Sequence, residues 1–467
     1  MMFENTLKMT RVLLVQPHRD LKKKSKEKYS APYSLMWVAA PLKNKHPVKI
    51  YDRNVNLDDS LFFDFIKKFN PDIIGFTAMT SSMLLDIIYL GPLIKKKFPN
   101  LIIIVGGVHP TIEPDSVLRE SFVDYIIRGE ADDAFLEFCD VFDKDPKKIK
   151  KLRNINKNPL RKFLNIKNLE FPSFDLIDIK KYSQIFLSTS RGCPGTCNFC
   201  YNVQMWGEKG HPCVRFYDIE KTKKMFKEVI DKGGVTEFTI SDENFMTFKK
   251  RCIELCNFLE KNYKNKISFF VFGRADFVNP EVLGALKKAG CNTIQLGSES
   301  GSQRVLDFLN KKITVKKQGE ALKLINKFGI FNDASFMVGI PTETTKEMKM
   351  TENFIKKFKP DIADVKIFNP LPGSKIFDDL VKEGKITKPQ TLKEWADWTG
   401  DLKTIKHNFS EIPNNLLEKT AEKFWNYRYY QTRIKKAIYW VKRGNVEHVL
   451  KKFKKITRKY SGSQSWS

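Results

Sequence analysis

The stretch that decides the fold is QIFLSTSRGCPGTCNFCYNVQMWG, residues 184–207. A short apolar run at 184–187 ends in polar residues, and Cys193, Cys197 and Cys200 follow within a few positions. Such a run is typical of a buried parallel strand, so the three cysteines fall on the loop beyond its carboxyl end. In open α/β sheets this edge carries the ligand site. The stretch therefore predicts a parallel α/β unit with a thiol site at its mouth.

Five more runs of the same kind follow, with helical segments such as 220–232 and 248–261 between them. They are EFTISDE, ISFFVFGR, NTIQLGSES, DASFMVGIP and ADVKIFNP. Together with the first run they predict a partial (β/α)6 barrel of the TIM type over residues 181–375.

The amino-terminal part, residues 1–142, repeats the pattern with a different series of strands. Its runs are RVLLVQP, VKIYDRN, DIIGFTAMT, LIIIVGG and VDYIIRG. They predict a doubly wound, Rossmann-like α/β domain whose ligand lies beyond the carboxyl ends of the strands. Gly106 and Gly107 would let the backbone approach that ligand, although a tight strand-to-helix turn explains the two glycines equally well.

The remaining segments are basic. Residues 143–180 lack a sustained helical period and are predicted to be a linker over the surface. Residues 376–467 are predicted to be helical, and 421–460 combine apolar helical faces with many Lys, Trp and Tyr. That region suits a membrane interface or a lid packed on the barrel. Nucleic acid is a third alternative, but we expect no nucleic-acid partner because no RNA-binding module is recognisable.

Charge and cysteine usage limit the setting of the protein. The 467 residues include 82 Lys and Arg against 54 Asp and Glu, a formal charge of +28. This favours an acidic partner, whether nucleic acid, anionic membrane or phosphorylated substrate, unless it is only a solvated Lys-rich surface. Three of the eight cysteines cluster, which favours metal ligation in a reducing compartment. With no secretory leader or run of 18 apolar residues, we expect a cytoplasmic protein, with peripheral contact to the membrane as the alternative.

The CxxxCxxC spacing allows two kinds of metal site. Three thiolates can hold three irons of a cubane and leave the fourth iron open. A structural zinc site would need a fourth ligand, which Cys213 or His211 could supply. The strand-end context favours the cubane, because zinc knuckles usually sit on small hairpins.

These residues resemble the radical S-adenosylmethionine (SAM) enzymes, specifically their cobalamin-binding subgroup, over nearly the whole chain to about residue 375. The resemblance implies a [4Fe-4S] cluster on Cys193, Cys197 and Cys200, and a 5'-deoxyadenosyl radical made from SAM. It also implies a SAM site on the strand ends of the barrel, with the residues Phe199, Asp242, Glu243, Arg274, Glu299, Ser300, Gly339 and Ile340. Where the family commonly has Gly, this chain has Thr342, which predicts a less tight loop.

The first domain resembles the cobalamin module of the same subgroup. The resemblance implies a cobalamin site formed by Thr77, Ser81, Gly106, Gly107, His109, Gly129 and Glu130. The Asp-x-His-x-x-Gly loop of many such modules is absent, so we expect His18 not to ligate cobalt and the base tail to be displaced. The family's Gly-Glu-Gly-Glu is Gly-Glu-Ala-Asp at 129–132 here.

The resemblance implies an enzyme that methylates an unactivated carbon with SAM, the cluster and cobalamin. The basic surface favours a lipid-like or anionic substrate, and a ferredoxin or flavodoxin is the expected electron donor. One alternative is a radical cyclase or oxidase of the anaerobic magnesium-protoporphyrin monomethyl ester cyclase type. Another, from a different class, is a zinc- or cobalamin-binding regulator that docks on nucleic acid, although no RNA-binding module is recognisable.

Overall fold

A computed structural model describes residues 9–19, 29–207, 211–398 and 405–424. Its first sheet has five short strands, apolar because helices cover both faces. They are β1 (Val12–Gln16), β2 (Val48–Asp52), β3 (Ile73–Thr77), β4 (Ile102–Gly106) and β5 (Tyr125–Ile127). All neighbours pair in parallel, in the order β2-β1-β3-β4-β5. This confirms the doubly wound domain and places its topological switch point between β1 and β3.

The helices of this domain follow the strands in alternation. They are α1 (Tyr33–Leu42), α2 (Asp59–Phe69), α3 (Met83–Lys97), α4 (Val108–Ile112), α5 (Pro114–Leu118) and α6 (Ala131–Lys144). Helix α2 shows how the local sequence sets the ends: the Asp58 side chain accepts from the backbone N–H groups of Ser60 and Leu61. Asn70 closes the helix in the left-handed conformation, φ 47°.

The second sheet is parallel and has six strands. They are β6 (Phe186–Leu187), β9 (Glu237–Ile240), β10 (Ser268–Gly273), β11 (Cys291–Glu299), β12 (Phe331–Val338) and β13 (Ile362–Ile367), and a small antiparallel pair, β7 (Ser190–Arg191) and β8 (Arg215–Phe216), stands beside them. The order β13-β12-β11-β10-β9-β6 follows the chain without closing into a ring. The six-strand partial barrel expected from the sequence is therefore confirmed.

The barrel helices lie between these strands. They are α7 (Asn202–Trp206), α8 (Ile219–Lys227) with a π-helical turn (Glu228–Lys232), α9 (Lys249–Tyr263), α10 (Pro280–Ala289), α11 (Gln303–Phe308), α12 (Val315–Lys327) and α13 (Thr345–Phe358). Cys252 and Cys256 on α9 are buried in the hydrophobic core beside Cys291, so they pack, as their spacing suggested.

The segment 143–180 is not a surface linker alone. It holds 3₁₀ turns (Pro146–Lys151, Ile166–Asn168, Phe174–Leu176, Ile179–Lys181) and buries Ile149 and Ile155 in the core of the first domain. Ile155 also forms an antiparallel bridge with Ile127. The apolar residues spaced between the lysines explain why a segment without helical period is nevertheless anchored.

After the barrel, α14 (Lys375–Lys382) and α15 (Leu392–Trp398) pack on the first domain. The Trp395 ring is fully buried there, with its centroid 5.8 Å from that of His109. A further helix at 414–424 packs against the barrel core. Most of the basic stretch 421–460 lies outside the described residues. Among the described residues, no helix is both long and apolar enough to cross a membrane.

Candidate functional site

A cavity between the two domains encloses about 280 Å³ of free space. The carboxyl edge of the first sheet forms one wall, and the loops of the second sheet form the other. First-domain lining residues include Thr77, Gly106, Gly107, Gly129 and Glu130, and barrel residues include Ser188, Arg191, Trp206, Ser241 and Glu243. The two predicted ligand edges therefore face one another across a shared space.

An apolar arm of this cavity runs into the first domain beside the switch point. Its walls are made by residues of the sheet and its covering helices, namely Leu14, Leu35, Val38, Gly75, Ile104 and Phe135. A Cβ at Gly75 would lie 2.9 Å from the Phe135 ring, so a larger residue there would disturb the arm. This part of the cavity lining is apolar.

The carboxyl edge of the first sheet forms the first-domain rim of the cavity. Gly107 lies on this rim, where its backbone can be approached closely. It has φ 102°, and a Cβ there would lie 2.7 Å from the carbonyl oxygen of Ala78. At Gly106 the nearest atom to a Cβ would be 3.5 Å away, an ordinary contact. Gly107 therefore shapes the turn, while Gly106 leaves room on the cavity side.

Two of the residues expected on this rim do not line the cavity. His109 is fully buried, with Nδ1 2.9 Å from the Thr80 hydroxyl and Nε2 3.0 Å from the Ser116 hydroxyl. Burial lowers its pKa to about 3, so the ring is neutral. Ser81 faces its own loop, and its hydroxyl accepts from the N–H of Met83 at the start of α3. The polar partners of both side chains lie within the first domain.

Glu130 joins the two domains instead of presenting a free carboxylate. It accepts hydrogen bonds from Arg191 Nη1 at 2.7 Å, from both Nη atoms of Arg215 at 2.9 Å, and from the N–H of Leu164. Both arginines belong to the small β7–β8 pair beside the cysteine loop. Glu130 lines the cavity as part of an interdomain ion cluster.

Arg191 is the centre of that cluster. Its guanidinium also donates to both oxygens of Asp132 at 2.9 Å, and its Nε donates to the Tyr217 hydroxyl at 2.7 Å. It lies 5.4 Å from the Trp37 ring, which stacks on Tyr217. Burial disfavours the Asp132 carboxylate, but the charge and hydrogen bonds of Arg191, together with a backbone hydrogen bond and the charge of Arg215, outweigh burial and the pKa of Asp132 is lowered. The Asp132 carboxylate therefore binds Arg191 in this chain. At the neighbouring position, Ala131 replaces the glycine of the family.

The cysteine loop is fixed from outside by the segment after α11. The Asn198 amide donates to Phe308 O at 2.8 Å, and the Asn310 amide donates to Thr196 O at 2.8 Å. These bonds hold the backbone between Cys193 and Cys200 and leave the thiols unengaged by them. Burial raises the pKa of the Cys200 thiol to about 11, so without a ligand this side chain is a neutral thiol at neutral pH.

Two buried cations stand next to this loop. Arg274 Nη1 is 3.6 Å from Cys197 Sγ, and the guanidinium is held by Asp276 and by the carbonyl of Lys311 at 2.9 Å. The Lys311 ammonium pairs with Glu299 at 2.9 Å and lies 5.7 Å from the centre of the Phe199 ring. Arg274 and Glu299, which the sequence indicated, thus lie beside the thiols together with Lys311, which it did not.

Asp242 and Glu243 have different roles. Asp242 is buried and accepts from Thr189 N at 2.5 Å and from the Thr189 and Ser190 hydroxyls at 2.6 Å, which ties β9 to the cysteine loop. Glu243 points into the cavity, where water reaches it although protein surrounds it. That enclosure raises its pKa to about 7. Glu243 is the carboxylate available to a ligand's ammonium group.

Ser300 and the strand-end segment at 339–343 are structural supports in this chain. Ser300 is fully buried against Thr351, 3.2 Å from its hydroxyl. The N–H of Gly339, φ 82°, and the N–H of Ile340 both donate to the Glu343 carboxylate, at 2.7 and 3.2 Å. Thr342 has φ 64°, a left-handed conformation that favours glycine. The less tight loop expected at this position stays a prediction.

The donor sets fit the groups that the resemblance implies. Three thiols on one loop, with an arginine N–H directed at one sulfur, suit a cluster that keeps one iron open. The zinc alternative needs a fourth ligand beside them. In the described part of the chain no three His, Cys, Asp or Glu side chains, these cysteines included, gather closely enough to hold an ion, so this geometry does not separate zinc from a cluster. The glycine rim and the apolar arm suit a large, flat cofactor.

Comparisons with known proteins agree with this arrangement. Residues 187–355 match the model of the radical SAM superfamily, and residues 27–139 match the B12 binding domain. An uncharacterized methyltransferase of Pyrococcus horikoshii is 30% identical over 441 residues, 90% of this chain and 93% of that protein. The chain belongs to the cobalamin-binding radical SAM enzymes. Its cofactors are therefore a [4Fe-4S] cluster, SAM and cobalamin.

Other relatives of this radical SAM enzyme differ in chemistry. The anaerobic magnesium-protoporphyrin IX monomethyl ester cyclase of Cereibacter sphaeroides is 27% identical over 68% of this chain, which spans about half (54%) of that protein. The solved cobalamin-dependent radical enzyme OxsB, with aqua-cobalamin and SAM bound, superposes with a TM-score of 0.66 at 22% identity, over 81% of this chain and 56% of that one. The methyltransferase TsrM of Kitasatospora setae gives 0.64 at 14%, over 82% and 76%. The likeness to these solved structures shows the shared fold.

Sequence reasoning missed four residues that this radical SAM enzyme places at the site: Asp132, Arg191, Arg215 and Lys311. Arg191 had a signal, since it stands two positions before Cys193. Lys311 had none, because one lysine among many gives no sign that the fold will bury it.

Proposed function

We propose that this protein methylates an unactivated carbon of a small-molecule substrate. The observation that carries the proposal is the shared cavity, where Glu243, beside the cysteine loop, faces Gly106 and Gly107 of the first domain. A cavity that both domains line can bring a radical source, a methyl carrier and a substrate together, which is the positioning that such chemistry requires. The relative from Pyrococcus horikoshii, which aligns with this chain over 93% of its own length, is named a methyltransferase. That name supports the same reaction here.

The residues of the chain divide the binding work. We propose that Cys193, Cys197 and Cys200 hold the cluster, which supplies an electron to SAM when bound. Glu243 would accept hydrogen bonds from the methionine ammonium, and Lys311 and Arg274 offer charge to the methionine carboxylate. The aromatic ring of Phe199 and the backbone at 339–340 would flank the adenine.

We propose that cobalamin occupies the rim formed by Thr77, Gly106, Gly107 and Gly129, with its base tail in the apolar arm beside Gly75. His18 is not among the residues that line the cavity. Its backbone N–H donates to Asp86 at 2.7 Å, and its ring packs edge-on to Tyr29. The placement supports cobalamin binding without a histidine on its lower face.

The fate of SAM tests the proposed reaction. Enzyme reconstituted with iron, sulfide and cobalamin would be incubated anaerobically with SAM, dithionite and a small-molecule extract. Methylation predicts S-adenosylhomocysteine together with 5'-deoxyadenosine. Loss of the latter in Cys197→Ala, and of the former without cobalamin, would support the assignments.

The cyclase alternative is favoured by one observation, the 27% identity to a magnesium-protoporphyrin ester cyclase. In that case 5'-deoxyadenosine would form without S-adenosylhomocysteine above the cobalamin-free control. This outcome would overturn the proposed methylation while keeping the cofactor assignments.

The substrate class and the partners rest on charge. A formal charge of +28 favours an anionic or lipid-like substrate and an acidic electron donor such as flavodoxin or ferredoxin. Co-sedimentation with anionic vesicles at low salt tests the lipid-like class and the peripheral membrane contact. Absence of binding would remove both.

A further inference from the structure

Two ion pairs lie beside the cysteine loop, and the cation of one is near a sulfur while the cation of the other is near the Phe199 ring. In one pair Arg274 lies between Asp276 and Cys197, and its Nη1 is 3.6 Å from the sulfur. In the other, Lys311 is paired with Glu299 and stands over Phe199, the residue between two of the thiols. Charge in this position acts on the cluster whether or not SAM is bound.

Burial makes these charges effective. The side chains of Lys311 and Glu299 are 7% and 9% exposed, and that of Arg274 is 10% exposed, whereas Asp276 reaches solvent. Solvent and salt screen buried charges far less than surface ones. Burying a lysine side chain costs free energy unless a carboxylate pairs with it, as Glu299 does here. The place of this charge near the cysteine loop suggests a function for it.

The loop that carries Lys311 is built to keep it there. Its neighbour Asn310 binds Thr196 in the cysteine loop through two hydrogen bonds, at 2.8 and 3.1 Å. The Lys311 carbonyl also fixes Arg274. One short segment therefore positions both cations relative to the three thiols.

We propose that Lys311, with Arg274, sets the reduction potential of the cluster. Reduction adds one electron from the donor to the oxidised cluster and no proton, so the cluster becomes more negative. A buried cation beside it stabilises the reduced form and raises the potential, while Glu299 opposes that effect. This inference rests on the proposed assignment of Cys193, Cys197 and Cys200 as ligands.

The test compares variants of opposite sign. Lys311→Met removes the cation, and Glu299→Gln removes the opposing carboxylate at nearly unchanged shape. Each would be reconstituted with cluster and cobalamin, kept free of SAM, and titrated electrochemically with detection of the reduced cluster by electron paramagnetic resonance. Lys311→Arg keeps the charge, and Lys423→Met removes a lysine that pairs with Glu352 instead.

At the potential where half of the wild-type cluster is reduced, Lys311→Met should lower the ratio of reduced to oxidised cluster about tenfold, a shift of about 59 mV for one electron. Glu299→Gln should raise that ratio, and the two control variants should match wild type. A merely structural role cannot produce shifts of opposite sign.

Iron analysis separates failure of the ligand assignment from failure of the tuning role. Full iron in Cys197→Ala would overturn the ligand assignment itself. Wild-type potentials in Lys311→Met and Glu299→Gln, at full iron, would overturn the tuning role alone. If Lys311→Met lost iron, Glu299→Gln and Asp276→Asn would decide, since both should raise the potential.

Discussion

The two rims that face the cavity are built from different materials. The first-domain rim presents backbone and small residues, with Gly107 forced into φ 102°. The barrel side presents buried charges: Arg191 lines the cavity, and Arg274 and Lys311 lie near the cysteine loop, each of the three paired to a carboxylate. The contrast follows from what each rim would hold: a large cofactor needs space and close backbone approach, whereas a cluster and a zwitterion need fixed charges.

The difference predicts which substitutions should disturb each rim. A rim made of backbone is disturbed when a side chain is added, and a rim made of ion pairs is disturbed when one is removed. Glu130 is the exception that joins them, since it lies on the first rim and is bound by two arginines of the second.

The largest effect is expected from removal of Arg191. Arg191→Met leaves Asp132 buried without its cation, and breaking a buried pair in this way costs about 3–5 kcal/mol of the free energy of unfolding. Urea denaturation of the cluster-free protein, followed by tryptophan fluorescence and circular dichroism, measures it. The control Lys375→Met breaks an exposed pair with Asp379 and should cost less than about 0.5 kcal/mol. Equal costs for the two variants would show that the interdomain cluster adds nothing.

A smaller effect is expected from adding a methyl group to the first rim. Gly107→Ala forces a Cβ against Ala78 O at positive φ and should destabilise the fold by about 2 kcal/mol. Gly106→Ala makes only ordinary contacts, so stability should hold while cobalamin binding, followed by visible absorbance, weakens. Reversed behaviour of the two variants would mean that the cavity side of this turn has been assigned to the wrong glycine.

A pH-dependent effect is expected at Glu343, beneath the barrel rim. Burial raises its pKa from 4.5 to about 7 in the folded chain. Because the folded value is the higher one, the stabilisation by the bound proton is complete below about pH 4.5 and is lost as pH rises through 7. Glu343→Gln is neutral throughout, so it should match wild type at pH 4.5 and be about 3 kcal/mol more stable at pH 8. Thermal unfolding at both values checks this, with exposed Glu383→Gln as the control. A constant difference between Glu343→Gln and wild type at both pH values would exclude titration of Glu343 as its cause.

Both sheets, their strand content and the meeting of their edges could be predicted, because buried strands and strand-end loops leave a local pattern in the sequence. Within the site, the sequence could not show which of Asp242 and Glu243 faces the cavity, since the turn alone decides the direction in which two adjacent side chains point. His109 looked like a rim residue from its place after two glycines, and only the packing of Trp395 on it shows why it faces inward. Lys311 and Glu130 contact residues that are distant in the sequence, and hydrophobic periodicity carries no information about such contacts.

The smallest effect concerns Thr342, where the barrel rim contains a backbone conformation that belongs to glycine. A non-glycine residue in the left-handed region costs about 1–2 kcal/mol, and glycine would lose about 0.5–1 kcal/mol more conformational entropy on folding. Thr342→Gly should therefore stabilise the fold by about 0.5 kcal/mol, measured as a rise in the urea midpoint. Thr342→Ala keeps the strain and loses the hydroxyl that Arg304 contacts at 3.1 Å, so it should be no more stable than wild type. A loss of stability in Thr342→Gly would mean that the bond between Arg304 and the hydroxyl outweighs the strain. In that case the side chain of Thr342 would stabilise the barrel rim, even though its backbone has a positive φ, as that of Gly107 does on the first-domain rim.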